Sequence, residues 1–408
     1  MTTPYDSIPL PLRRSPPFVM FWTSRVLGSL AFQMSSVALG WLIYELTDSA
    51  YLLGLAGLAQ FMPMMLLTFV VGPVADRYDR RRIVVLSQTV QGATLLLLTL
   101  GTLAGLLGVG AIFVGLIVLG CARTFERPAM AALLPAIVPL AVLPRAVAVS
   151  SSAMQTATIV GPSLGGLLFA FGASVPLGLS ALLFLLAAAA LAPLRLREAP
   201  RPPEPMSLST AFRGLSFIRG RPILLGAISL DMVAVLLGGI TALLPIFARD
   251  ILQAGPWGLG LLRAAPAVGA IAMSLFIDRL ALDRGAGPKL FASVILFGLC
   301  TIAFAASTDL VFSIATLTVL GAADNVSVVI RQSLVQLSTP DDMRGRVNAV
   351  NSLFIGASNQ LGEFESGMTA GLFGTVEAGI IGGVGTIAVA LVWMYLFPSL
   401  RRAERLSS

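Results

Sequence analysis

Long apolar runs recur along the whole chain, separated by short links in which charged residues, glycine and proline collect. An α-helix needs roughly 20 apolar residues to cross a bilayer. The pattern therefore predicts twelve membrane-spanning helices. They cover residues 17–46, 51–75, 83–107, 110–134, 147–171, 174–194, 222–248, 257–280, 288–308, 310–334, 347–373 and 376–399.

The composition points to an all-α integral membrane protein. Hydrophobic residues make up 56% of the chain, charged residues 12%, and the mean hydropathy is +0.90. A soluble protein would have too little polar surface to cover such a core. The chain has no histidine, which excludes a histidine-based catalytic triad, a His-ligated metal site and a histidine proton relay. Cys121 and Cys300 lie in apolar runs and are expected to be reduced.

Lysine and arginine gather in alternate links. Positive residues mark the cytoplasmic side of a membrane protein, so both termini are predicted to be cytoplasmic, in a bacterial-type inner membrane. The other links carry Asp48, Arg249, Asp250, Asp309 and Glu377. The net charge of +7 is therefore attributed to arginines and lysines that orient the chain in the membrane, and not to nucleic-acid binding. No cleavable signal peptide is expected, because the polar start runs into a full-length first crossing.

The chain is predicted to consist of two related halves. The charged loop at residues 72–82 recurs in weaker form at residues 276–284, and internal repeats of this kind are common in transporters. The predicted domains are an N-terminal six-helix bundle (1–195), a cytoplasmic linker with a short amphipathic stretch (196–221) and a C-terminal six-helix bundle (222–408).

Two motifs resemble signatures of the major facilitator superfamily. One is the charged loop after helix 2, formed by Gly72, Asp76, Arg77, Arg80 and Arg81. The superfamily signature usually has a second glycine at the position of Asp79. An aspartate there resembles siderophore-exporter-like and macrolide-exporter-like members. The other motif resembles the antiporter signature of helix 5 and is formed by Gly161, Pro162, Gly165 and Gly166. The resemblance covers the whole chain and implies the major facilitator fold, with two pseudo-symmetric six-helix bundles.

Each motif has a gating interpretation and a structural one. Asp76 lies at a helix end, where it can bond to arginines or to a helix N-terminus of the other half and hold the cytoplasmic side shut. The arginines of this loop would serve equally as positive-inside anchors. In helix 5, Pro162 bends the helix and the glycines allow close packing. This stretch is therefore either a closed-state interface or a simple packing kink.

Ionisable residues inside membrane helices are costly and mark transport pathways. Asp231 lies roughly nine residues into helix 7, about 14 Å deep, while Glu363 and Glu365 lie in a polar run of helix 11. Burial favours the protonated form of a carboxyl group, so these three are predicted to carry protons. The alternative for each is a hydrogen bond to a neighbouring helix. Arg25 corresponds in position to Asp231, and a state-dependent pair of the two is one expectation.

Further polar residues are candidates for the wall of a central cavity. They are Arg25, Gln33, Arg123, Asp324, Asn325 and Asn359. Two of them also have a structural interpretation. Arg123 and Glu126, three residues apart, are placed to pair on one helix face, and Asp324 has Arg331 two turns away on the same helix.

The resemblance implies a proton-coupled exporter that works by alternating access. The expected partners are protons, membrane lipids and a small amphipathic substrate of siderophore-like, macrolide-like or drug-like type. The proton gradient is the expected energy source, with no cofactor, no metal and no enzymatic activity, and a monomer is expected. A lipid or lysolipid transporter and an uncoupled facilitator are alternatives of the same fold. A membrane sensor or enzyme is another, for which the chain lacks a large soluble insert and a nucleotide-binding loop.

Overall fold

The computed structural model describes residue 12 and residues 15–139, 142–194, 215–276 and 285–403. Within these ranges twelve long helices form, and each overlaps one predicted crossing. The prediction of twelve helices is confirmed. They are α1 (Pro16–Thr47), α2 (Ala50–Arg77), α3 (Arg80–Leu103), α4 (Val109–Ile137), α5 (Leu143–Phe169), α6 (Ser174–Leu191), α7 (Pro222–Leu237), α8 (Gly255–Phe276), α9 (Ala286–Ala305), α10 (Leu310–Leu337), α11 (Asp341–Phe373) and α12 (Thr375–Leu396).

Two of these helices are more polar than the rest. In the described ranges ten helices are long and apolar enough to cross a membrane, and α5 and α11 are not among them. These are the fifth helices of the two halves. The polar residues of α11 include Asn348, Asn351, Asn359, Gln360, Glu363 and Glu365. A polar helix at membrane depth has to face protein or water, so α11 is suited to lining a pathway.

Helix α7 ends earlier than predicted. The apolar run predicts one helix over residues 222–248, whereas α7 stops at Leu237 and the chain continues through a 3₁₀ turn, a short α turn and a π turn as far as Ile251. The break falls at two glycines, Gly238 and Gly239. A Cβ atom added at Gly239 would lie 2.6 Å from the carbonyl oxygen of Gly362. The backbones of α7 and α11 therefore touch where α7 is interrupted.

Packing divides the chain into two compact units. The first comprises Met1–Leu39 and Met62–Pro205. In it, α3 packs along both α4 and α6. Buried side chains of α1, α3 and α4 fill one part of this unit, including Phe18, Phe21, Val84 and Leu133. Between membrane helices such side chains stabilise the unit through close van der Waals packing, because lipid tails are as apolar as they are.

The second unit comprises Gly40–Phe61 and Met206–Ser408. In it, α9 packs along α10 and α12, so the third helix of each half contacts the fourth and sixth helices of that half. This repeated packing is what two related halves require. The unit also includes residues 40–61, which are the end of α1, the following link and the start of α2.

Some predicted features lie outside the described residues. The linker at 196–221 is described only from residue 215, where a short helical turn begins, so most of its amphipathic stretch lies outside. The backbone of α2 passes through Gly72 and Asp76, but the surroundings of Gly72 and the side chain of Asp76 lie outside the described part of the structure. The latch proposed for Asp76 stays a prediction.

Candidate functional site

An ion pair joins α7 to α10. The carboxylate of Asp231 pairs with the guanidinium group of Arg331, and the two side chains are only 13% and 11% exposed. The sequence suggests Asp324 as the partner of Arg331, but the structure pairs Arg331 with Asp231. The state-dependent pair of Arg25 with Asp231 stays a prediction. Seven residues along one helix separate Asp324 from Arg331 by about 10 Å, which favours a partner on another helix.

The ion pair lines a recess with a volume of about 210 Å³. Its polar lining residues come from three helices and are Asp231, Asp324, Arg331, Gln332, Asn351 and Asn359. The predicted residues Asp231, Asp324 and Asn359 therefore come together. Asn351 and Gln332 are absent from the predicted set. Asn351 lies eight residues before Asn359 on α11. Residues spaced by four and eight positions lie on the same side of a helix, so this spacing could have identified Asn351.

Glu363 is not among the residues that line this recess. Its carboxylate packs against Gly57 of α2, where an added Cβ atom would lie 2.9 Å from Glu363 Oε2. The positive charge of Arg263 in α8 lies close enough to act on Glu363. Among the described residues, Arg263 Nε and the nearby Gln360 Oε1 are buried without a hydrogen-bond partner. Glu363 thus lies in a separate polar cluster, between α2, α8 and α11.

Two further predicted residues of the second unit are Glu365 and Asn325. Glu365 accepts a hydrogen bond from Thr369 Oγ1 at 2.8 Å, one turn along α11. This bond lies within one helix, whereas the sequence suggests a partner on a neighbouring helix. Asn325 follows Asp324 on α10, and its Oδ1 is buried without a partner in the described part of the chain. Of the three predicted proton carriers, Asp231 alone lines the recess.

In the first unit, a buried carboxylate connects α3 and α4. Glu126 is 4% exposed and accepts hydrogen bonds from Gln88 Nε2 at 3.0 Å and Gln91 Nε2 at 2.9 Å. Arg123 lies 3.4 Å from Glu126, so the pair predicted from their spacing is confirmed. Ser24 of α1 donates to Gln88 Oε1 at 3.0 Å. The two glutamines were not predicted, although amides three residues apart in an apolar helix are a usable signal.

Equivalent positions in the two halves carry opposite charges. Arg25 is the tenth residue of α1 and Asp231 is the tenth residue of α7. Arg123 is the fifteenth residue of α4 and Asp324 is the fifteenth residue of α10. The guanidinium carbon of Arg123 lies 3.9 Å from the centroid of the Phe32 ring, which is a cation–π contact.

The glycine-rich motif of α5 packs against α1. A Cβ atom added at Gly161 would lie 2.6 Å from Gln33 Cβ, and one added at Gly165 would lie 2.6 Å from the carbonyl oxygen of the next residue of α1. Gly166 is buried, and Pro162 lies inside the helix. The motif therefore has a packing role, and it places Gln33 at the contact between α1 and α5.

The charged loop after α2 is anchored to the end of α6. Arg81 NH1 donates to the carbonyl oxygens of two residues that follow α6, at 3.1 and 2.7 Å. Asp79 caps α3 by accepting from the backbone N–H of Arg81 at 2.9 Å. Arg77 is exposed and Arg80 is half-buried. Asp79 therefore stabilises a helix N-terminus, which explains an acidic residue in place of glycine.

A further polar cluster lies at the end of α1, in the second unit. The Tyr44 hydroxyl donates to the carboxylate of Asp250. Arg249 pairs with Asp48 at 2.6 Å and donates to the Tyr44 carbonyl oxygen at 3.3 Å. The sequence indicates only that these charges lie in or near links. Their pairing ties the end of α1 to the chain after the break in α7.

Sequence comparisons agree with this architecture. The family described as transmembrane secretion effector matches residues 7–407. The chain is 26% identical over 401 residues to the enterobactin exporter EntS of Citrobacter koseri, an alignment that covers 96% of this chain and 94% of that protein. The enterobactin exporter EntS of Salmonella typhimurium is 25% identical, with the same coverage of both chains.

Solved structures share the fold. The nucleoside transporter NupG superposes with a TM-score of 0.72 at 14% identity, covering 93% of this chain and 99% of that one. A bacterial homologue of the iron transporter ferroportin, in an inward-facing state, gives a TM-score of 0.72 at 18% identity, covering 95% and 98%. At these identities the likeness concerns the fold alone.

Proposed function

Because the chain belongs to the transmembrane secretion effector family and is a multi-pass transporter of the major facilitator superfamily, we propose that it exports a siderophore-like molecule by proton-coupled alternating access. Its relatives from Citrobacter and Salmonella are named as enterobactin exporters. This supports export and a siderophore-like substrate over the macrolide-like and drug-like classes.

The observation that carries the proposal is the ion pair between Asp231 and Arg331 in the wall of the recess. Burying two charges costs desolvation free energy, and ionisable residues inside a membrane are functional by default. When a proton binds Asp231, its negative charge is lost and Arg331 loses its partner. The two protonation states thus favour different arrangements of α7 and α10, which is what a coupling site requires.

The proposed cycle loads substrate from the cytoplasm and releases it outside as protons enter. Contacts of residues 40–61 within the second unit have to open for release. They include the bonds of Tyr44 with Asp250 and of Asp48 with Arg249. Beside them, α2 and α11 approach so closely that a Cβ atom added at Gly54 would lie 2.9 Å from Gly367 Cα.

The proposal also includes topology. Both termini face the cytoplasm of a bacterial-type inner membrane, and the transport unit is a monomer surrounded by lipid. The alternation of arginine-rich and arginine-poor links supports this orientation.

Efflux of enterobactin from proteoliposomes under an imposed pH gradient tests the proposal. The unmodified protein is expected to accelerate efflux, and an ionophore that collapses the gradient is expected to remove most of the acceleration. Asp231→Asn is expected to abolish the response to the gradient. Glu377→Gln is the matched control, since it removes an exposed carboxylate at the start of α12.

Efflux by the unmodified protein that ignores the gradient would contradict proton coupling and favour a facilitator. Lipid translocation without enterobactin efflux would favour the lipid transporter.

A further inference from the structure

A second, smaller cavity lies between α7, α9, α10 and α12. Its volume is about 20 Å³, which is room for about one water-sized species. The ion pair of Asp231 with Arg331 lines this cavity as well as the larger recess, and so does Asp324. The two spaces are therefore neighbours. The polar residues that line the small cavity are Asp231, Ser293, Asp324, Ser327, Arg331 and Thr386.

The charges around the small cavity do not balance. Two carboxylates and one guanidinium group line it, and the guanidinium group of Arg331 is already paired with Asp231. Asp324 forms no ion pair with any residue that the structure describes. One negative charge is therefore left over inside the membrane, where an uncompensated charge is costly. A single positive charge would neutralise it.

The hydroxyl groups of the cavity are available as acceptors. Ser293 Oγ donates to the carbonyl oxygen of Leu290 at 2.8 Å, and Thr386 Oγ1 donates to that of Gly382 at 2.9 Å. A hydroxyl group has one hydrogen, so each offers only lone pairs to the cavity. Ser327 is 4% exposed, and its hydroxyl forms no hydrogen bond within the described ranges. Leaving a buried hydroxyl unpaired costs free energy, which indicates a ligand here.

The end of α7 adds negative potential to the same place. Ala234 and Val235 line the cavity and belong to the last turn of α7, which ends at Leu237. The C-terminus of a helix carries a partial negative charge that favours a cation. Interrupted helices of transporters commonly direct such ends at bound cations. The break in α7 therefore supports a cation at this position.

We infer that the small cavity is a binding site for a sodium ion, held by the carboxylate of Asp324 and the hydroxyl oxygens of Ser293, Ser327 and Thr386. Oxygen ligands of this kind suit hard cations. The single excess negative charge favours a monovalent ion over a divalent one, and the volume favours an ion without its hydration shell. This inference goes beyond proton-coupled export and departs from the expectation of no metal.

Equilibrium dialysis of radioactive sodium against the purified protein tests the site, in uncharged detergent at mildly alkaline pH with choline chloride as the background salt. The unmodified protein is expected to bind about one sodium ion per chain in a saturable manner, as the size of the cavity allows. Unlabelled NaCl is expected to displace the bound sodium at least about tenfold more effectively than KCl, because potassium is the larger ion.

No saturable binding would overturn the proposal, since the cavity would then hold water or Asp324 a proton. Equal displacement by KCl and NaCl would overturn it too. The dialysis uses neither a substrate nor a pH gradient, so its outcome does not depend on the export assay.

Variants of the lining residues locate the site. Asp324→Asn removes the charge, while Ser327→Ala and Thr386→Val each remove one hydroxyl group and keep most of the side-chain shape. Each variant is expected to weaken sodium binding at least about tenfold. Size-exclusion profiles verify folding. Unchanged sodium affinity in folded Asp324→Asn and Thr386→Val proteins would overturn the assignment.

Thr301→Val is the matched control for Thr386→Val. Thr301 is 1% exposed, and its hydroxyl donates to the carbonyl oxygen of Phe297, one turn earlier on α9, at 2.9 Å. It does not line the cavity. The control loses the same kind of hydrogen bond and is expected to bind sodium like the unmodified protein. An equal loss of affinity in both variants would show that the effect is structural and would overturn the role of Thr386.

Discussion

The polar groups of α1 and α4 and those of α7 and α10 occupy equivalent places in the two halves but carry opposite charges. Arg25 and Arg123 stand in the first half where Asp231 and Asp324 stand in the second. The packing of the helices is repeated, yet the chemistry is inverted. The difference teaches that the repeat supplies a scaffold, on which one half places basic residues and the other acidic residues at equivalent positions of its first and fourth helices.

The two halves also compensate their charges differently. Arg123 pairs with Glu126 on its own helix, and two amides of α3 support the carboxylate. Asp231 pairs with Arg331 across two helices. A pair within one helix survives relative movement of helices, whereas a pair between helices responds to it. The first arrangement is suited to a fixed site and the second to a switch.

The largest effect is expected from a substitution that breaks the ion pair of Asp231 with Arg331 in the second half. Arg331→Met leaves the carboxylate of Asp231 buried without a partner and is expected to lower the free energy of unfolding by about 3–5 kcal/mol. Unfolding by denaturant in mixed micelles measures this loss. Adding Asp231→Asn is expected to recover part of the stability, because no unpaired charge then remains. A double variant as unstable as the sum of both changes would show that the two residues do not interact.

The matching change in the first half is expected to cost less. Arg123→Met removes one donor from Glu126, but the two glutamine donors remain. The expected loss is about 1–2 kcal/mol, measured in the same way. A loss equal to that of Arg331→Met would remove the distinction between a supported carboxylate and an unsupported one.

The other carboxylate of the recess provides a finer test. Asp324 lines the recess, but Arg331 pairs with Asp231. Asp324→Asn is expected to slow gradient-driven efflux about threefold, equivalent to roughly 0.7 kcal/mol in the barrier, while keeping the response to the gradient. Complete loss of that response would place the coupling site at Asp324.

The smallest effect is expected at Glu365. Its carboxylate accepts from Thr369 on the same helix, and the amide oxygen of glutamine can accept the same hydrogen bond. Glu365→Gln is expected to change stability by less than about 0.5 kcal/mol and to leave efflux intact. A proton-to-substrate ratio that falls in this variant, measured with a pH-sensitive dye, would make Glu365 a proton carrier after all.

The number and approximate positions of the helices were predictable, because the length of each apolar run follows from the thickness of the bilayer. The break in α7 was not predictable from hydropathy, since Gly238 and Gly239 interrupt the helix without interrupting the apolar run. The break depends on the close approach of α11, which is a tertiary contact.

The site was predictable only as a set of residue types. Asp231 and Asp324 were identified because an ionisable side chain inside a membrane is energetically costly. The spacing of three residues identified the pair of Arg123 with Glu126. The partner of Asp231 depends on which faces of α7 and α10 meet, and no local pattern records this. The pairing of Tyr44 with Asp250 was missed for the same reason.

The most direct test of the proposed proton coupling at Asp231 is a comparison of two enterobactin assays on Asp231→Asn proteoliposomes. One assay measures exchange of labelled for unlabelled substrate without a gradient, and the other measures net efflux driven by a pH gradient. Exchange is expected to persist close to the rate of the unmodified protein, while the gradient no longer drives efflux. Loss of both would place Asp231 in substrate binding, and retention of both would remove it from coupling, so either result would contradict the account.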